Sequence, residues 1–144
     1  MNADELEAPK IPTTLEECFT YLDTILRDKE EFKITPEEEV LGLCHFSLGM
    51  WMRNTWYLWW SEEIAKDCLD KDGYREDGEE AINYPQEKPL LVKYFNDDLN
   101  IHHADDMSSI IITSYHRRLN EQSLNLDQQV KRYQDHWNNI PKHE

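Results

Sequence analysis

The chain has 144 residues, with 15 Lys plus Arg against 30 Asp plus Glu, a formal charge of −15. That length suits one domain with a core of its own, and five Trp with seven Tyr carry too much burial energy for a disordered acidic chain. No apolar run reaches the roughly 18 residues of a membrane span, the acidic start lacks the basic opening of a signal peptide, and duplex DNA is disfavoured as a direct ligand because phosphate contacts need clustered Lys and Arg.

In chain order, Met1 to Lys10 reads as a flexible tail and residues 11–141 as a single helical domain. Thr13 with Glu16 after Pro12 has the spacing of a capping box and opens a helix whose apolar stripe is Leu15, Cys18, Phe19, Leu22, Ile25 and Leu26. Thr35, Pro36 and Glu38 repeat the signal for a second helix through Val40, Leu41, Cys44 and Leu48 toward Trp51. Pro89 opens a short helix through Leu90, Leu91, Tyr94 and Phe95. Asp105 and Asp106 suit the first turn of the next, where negative charge meets the positive end of the helix dipole; its stripe is Met107, Ile110, Ile111, Tyr115 and Leu119. A short buried strand at Ile110 to Ile112 is the alternative reading. The last helix carries Leu126, Val130, Tyr133, Trp137 and Ile140 and ends at Pro141. The expectation is an all-α fold, an irregular or orthogonal bundle of five to six helices, with residues 70–89 as an acidic insertion loop or flap.

Charge is uneven along the chain. Residues 1–40 hold 12 acids and 4 bases, and residues 61–80 hold 9 acids and 3 bases. Between them, residues 41–60 carry no acid, one base (Arg53) and four of the five Trp. A core helix between solvated acidic ones explains this most simply.

Three places carry residue types suited to chemistry. Along HFSLGMWMRNTWYLWWS, His45, Gly49 and Arg53 recur every four residues on one helical face. Arg53 reads either as a core cation paired with Asp105 or Asp106, or as an anion clamp with a Trp as stacking face. In IHHADDMSS, His102, His103, Asp105 and Asp106 are metal-ligand types, but one pair at helical spacing does not make a site, so capping of the helix is the simpler reading and no metal is expected. Aligning Gly73 with the glycine of a calcium loop puts Asp70, Asp72 and Glu79 on ligand positions, but Cys68 falls on the first and is a poor ligand. Cys44 beside His45 points about 100° away on a helix and does not form a dyad. Cys18, Cys44 and Cys68, odd in number and widely spaced, read as buried thiols of a reducing cytoplasm.

These strings also carry a resemblance. HFSLGMWMRNTWYLWWS, LLVKYFNDDLNIHHADDMSSIIITSYHRRLN and the opening IPTTLEECFTYLD, about 60 residues in all, resemble a domain-of-unknown-function family of small acidic bacterial and phage proteins. The resemblance implies a shared fold and no particular reaction. It makes the motif residues His45, Arg53, Asn54, Trp56, Trp59, Asp105 and Asp106 either a core lock or a common binding site. In two respects the chain departs from that pattern: Tyr57 stands where a glycine is expected, and residues 61–88 look inserted between the motifs.

Two functions follow as expectations. The first is a non-enzymatic, cofactor-free acidic protein that inhibits or neutralises a protein with a basic surface, such as a nucleic-acid-handling enzyme, a toxin or a bacterial defence complex, in the manner of an immunity or anti-defence protein. Its contact acids would be Glu62, Glu63, Asp67, Asp70, Asp72, Glu76, Asp77, Glu79 and Glu80, with Tyr74 as an aromatic anchor. The alternative is a small-ligand binder or hydrolase for a phosphorylated or nucleotide-like molecule, using Arg53 and Asn54 to hold the anion and His45 or His102 to move protons.

Overall fold

The computed structural model describes residues 11–70 and 84–140, with backbone alone for Leu69 and Asp70. Asp72, Tyr74, Glu76, Asp77, Glu79 and Glu80 lie outside the described residues, as do the first ten residues and Pro141. The described chain is helical throughout, with no strand. Its elements are α1 (Leu15–Ile25), α2 (Lys29–Ile34), α3 (Glu37–Cys44), α4 (Met50–Thr55), α5 (Glu62–Asp70), α6 (Leu90–Lys93), α7 (Ala104–Leu119) and α8 (Leu126–Asn138). A π turn at His45–Gly49 joins α3 to α4, and another at Tyr94–Asp98 extends α6, so eight α-helical segments make seven continuous helices. That exceeds the five to six expected.

Helix α7 is the axis. Met107, Ile110, Ile111, Ile112 and Tyr115 are buried, and so are Ser108, Thr113, Ser114 and His116 on its other sides. A helix buried around its circumference must be enclosed by others. Here α1, α2, α3, the first π turn, α4 and α8 all pack on α7. The isoleucine triplet is therefore helical. Phe19 and Leu22 from α1, Phe32 from α2, Met52 and Trp56 from α4, and Leu91 and Phe95 from α6 and its π turn fill the remaining core. Each such side chain contributes about 1.5–3 kcal/mol of burial.

Polar groups at the C-terminal end of α7 lock the surrounding helices. Tyr115 donates to Asp23 Oδ1 at 2.7 Å, and His116 Nε2 donates to the Thr35 carbonyl at 2.7 Å. Arg117 grips Glu37 through Nε and Nη2 at 2.6 and 3.1 Å. Arg118 reaches Glu16 at 2.6 Å, and the Asn120 amide donates to the Lys33 carbonyl at 3.0 Å.

Local expectations shift where backbone geometry intervenes. The capping box sits one residue later: Thr14 accepts from the Glu17 amide, and Glu17 accepts from Thr13. Thr35 does not cap α3. Its hydroxyl donates back to Glu31 at the end of α2, a helix capped by Asp28 that apolar periodicity did not signal, and Pro36 takes the N-cap position of α3. Ile25, Trp137 and Ile140, counted on apolar stripes by spacing, are exposed.

A second, smaller cluster lies beyond α4. Ala65 and Cys68 of α5 pack with Tyr84, flanked by Tyr57, Trp59, Trp60 and Ile64. Trp60 Nε1 donates to the Pro85 carbonyl at 2.8 Å, and the Ser61 amide donates to the Tyr84 hydroxyl at 3.1 Å. Residues 84 and 85 are thus fastened to the start of α5.

Candidate functional site

Arg53 is 11% exposed and fully engaged. Nη1 donates to Ser108 Oγ and Nη2 to the His45 carbonyl, each at 3.0 Å, while Nε lies 3.3 Å from Asp105 Oδ1. Ser108 in turn donates to the Asp105 carbonyl. The π turn makes this possible: it carries Gly49 into the interior, where a Cβ would come within 2.9 Å of Arg53 Nη1, 3.3 Å of the Cys44 carbonyl and 3.7 Å of Ile112 Cδ1. His45, Gly49 and Arg53 do meet, then, but His45 contributes its backbone oxygen, and its ring packs edge-on against Phe46 at 4.8 Å. Asn54 is exposed.

The helix ends earlier than its apolar run. Leu58 N donates to the Arg53 carbonyl across Tyr57, which has φ 50°. This is the reverse turn that normally ends a helix on glycine, and a bulky residue there is strained by about 1 kcal/mol. Tyr57 takes this position while packing its ring on Tyr84 at 5.2 Å. The turn also separates the tryptophans. Trp56 is sealed in the main core beside Trp51 and Tyr21, its Nε1 without a hydrogen-bond partner among the described residues, whereas Trp59 and Trp60 belong to the second cluster.

The two aspartates at the start of α7 diverge. Asp105 faces Arg53, and Asp106 accepts from Trp137 Nε1 of α8 at 2.8 Å. His103 takes the N-cap position of α7 but makes no capping bond; its ring stacks on Trp137 with centroids 3.7 Å apart and planes 12° from parallel. His102 Nε2 lies 2.7 Å from Asn100 Oδ1. Asn100, His102, His103, Asp106 and Trp137 line a cleft of about 210 Å³ with Ile101, Gln134 and Asn138, and Arg53, His45 and Asp105 are not among its walls. Among the described residues no three His, Cys, Asp or Glu side chains converge as a metal site. Asp72 and Glu79 of the proposed calcium loop lie outside them.

A larger cleft of about 460 Å³ opens between the start of α3, the end of α7 and α8, walled by Glu37, Glu38, Leu41, Thr113, Arg117, Gln128, Gln129, Arg132 and Tyr133. The Arg117 guanidinium, bonded to Glu37, holds that carboxyl below its ordinary range, with His116 and Arg132 adding to the effect. Spacing did not mark His116, Arg117 or Arg118 as more than the end of a stripe. A run of bases in a strongly acidic chain is the signal that could have done so. Burial pushes the Cys18 and Cys44 thiols up, the opposite of an activated nucleophile. Cys18 and Cys68 are buried as expected, but Cys44 is only half-buried.

On α5, Glu62, Glu63 and Lys66 are exposed and Asp67 is half-buried, while Ala65 and Cys68 face the aromatic cluster. This is the described part of the acidic surface expected from sequence. No helix among the described residues is long and apolar enough to cross a membrane.

Fold and site together define an all-helical protein built on one buried central helix, with an arginine-centred lock and an acidic helix held on an aromatic platform. The chain belongs to the family described as Domain of unknown function (DUF6794), whose model matches residues 11–79 and 84–119. The match takes in residues 61–79 and 84–88 and is interrupted at residues 80–83. No curated protein and no solved structure matches the chain.

Proposed function

We propose that this chain is a non-enzymatic interaction protein that neutralises a partner with a basic surface, of the kind carried by a nucleic-acid-handling enzyme, a toxin or a bacterial defence complex. The observation that carries this reading is the fate of Arg53. The group best suited to clamp a substrate anion is committed to Ser108, the His45 carbonyl and Asp105, inside the fold. Glu62 and Glu63 of α5, by contrast, are exposed on a helix whose Ala65 and Cys68 are seated on Tyr57, Trp59, Trp60 and Tyr84. An exposed acidic face on a chain of charge −15 attracts cationic partners at long range and repels anionic ones.

Affinity capture from the source cells, at low and then raised salt, tests this. The expected result is a basic protein retained by the wild-type chain and lost from a Glu62→Lys, Glu63→Lys double variant. Equal recovery with the variant, or no partner at low salt, overturns the reading.

A further inference from the structure

The outward face of α3, its π turn and α4 is apolar. Phe46 is 76% exposed, Leu43 68% and Met50 43%. With exposed Ser47 between them, they follow one line along the helix that starts at Glu39 and finishes at Asn54, all exposed. Beside Phe46 the surface is open, since a Cβ on Gly42 would meet nothing within 4 Å. Solvent-exposed Phe and Leu in succession on one helix are costly to leave bare and mark a contact surface. The π turn that presents Phe46 also belongs to a class of local distortion that recurs at functional sites.

Charge selects the occupant. From Glu37 to Trp60 the one Lys or Arg is Arg53, which is engaged inside the fold, while exposed Glu38 and Glu39 stand at the N-terminal end of the stripe. A second copy would bring another −15 to this face, and such self-repulsion opposes association. We propose that this face docks a cationic amphipathic helix of the partner protein, whose apolar side chains seat around Phe46 and over Gly42 while its Lys or Arg residues meet Glu38 and Glu39. The inference rests on the reading above that the partner is basic, and it adds the anchor that gives specificity to a charge-driven encounter.

The test uses the full chain and two Leu/Lys peptides of about 18 residues, five helical turns: one with its leucines on a single stripe, the other with the same composition permuted to break the stripe. Titration calorimetry gives affinities, and methyl NMR of Leu43 and Met50 locates binding. The striped peptide is expected to bind more tightly and to shift those methyls. A Leu43→Ala, Phe46→Ala variant, with an unchanged melting temperature, is expected to weaken it about tenfold or more and to leave the permuted peptide unaffected. Equal binding of the two peptides, or no loss in the variant, overturns the inference while the basic-partner reading stands. No binding of either peptide at low salt overturns both. Self-association of the wild-type chain that the variant abolishes assigns the face to a second copy and likewise overturns it.

Discussion

The two faces of the helix formed by α3, the π turn and α4 come from one continuous stretch of sequence and meet opposite environments. Inward, Gly49, Met52 and Trp56 are buried, each nitrogen of the Arg53 guanidinium has a polar partner, and a single added methyl at Gly49 would come within 2.9 Å of Arg53 Nη1. Outward, Leu43, Phe46 and Met50 face solvent and Gly42 has open space above it. Composition does not separate the two faces, because each carries a glycine and large apolar side chains. What separates them is whether another helix lies opposite. The inner face holds the fold together, and the outer one is left available.

Substitutions sharpen that contrast. The largest effect is expected at Trp56, where Trp56→Ala removes the largest fully buried side chain and should cost about 3–5 kcal/mol in denaturant unfolding. A loss comparable to that of an exposed residue would show that the inner face is not tightly packed. Arg53→Ala should cost about 2–3 kcal/mol, chiefly by stranding Ser108 and the His45 carbonyl and by opening the space under the π turn. Its ion pair adds little, because Asp105 is 69% exposed.

The glycines provide an internal control. Gly49→Ala should destabilise by about 1 kcal/mol despite alanine's better helix propensity, since Arg53 Nη1 is held by its own bonds and cannot move aside freely. Gly42→Ala should stabilise by about 0.5–1 kcal/mol. If thermal melts place both on the same side of the wild type, the contrast between the faces fails.

The smallest effect is expected at Glu37, whose carboxylate is only partly shielded. Arg117 holds its carboxyl below the ordinary 4.5. A lowered folded-state pKa contributes stability above the unfolded value and loses it as pH falls through the folded one. Glu37→Gln should therefore cost about 0.5–1 kcal/mol at neutral pH, and the gap between the variant and the wild type should shrink on acidification below 4.5. A gap that persists in acid would assign the effect to packing.

Much of this was legible from residue patterns. The spacing of Met107, Ile110, Ile111 and Tyr115 marks α7 as a core helix, and Pro89 marks the start of α6. A lone arginine in an apolar run demands polar partners, and Arg53 has them in Ser108, the His45 carbonyl and Asp105. The choice between Asp105 and Asp106 was not legible. Adjacent helical residues point about 100° apart, and only the positions of α4 and α8 decide that one meets Arg53 and the other Trp137. His103 shows the same limit, since its ring leaves the helix end for a Trp 34 positions away in sequence.

Sequence alone thus determined the helical class, the apolar stripe of α7, the uneven charge and the need to neutralise Arg53, because apolar period, capping residues and buried charge act through near neighbours or through the total composition. Tertiary structure alone decided where the 41–60 run breaks at Tyr57, that a π turn inserts Gly49 beneath Arg53, and which apolar side chains of that run remain in solvent. Those outcomes depend on which helices, distant in the chain, lie within a few ångströms of each face, and no local pattern carries that distance.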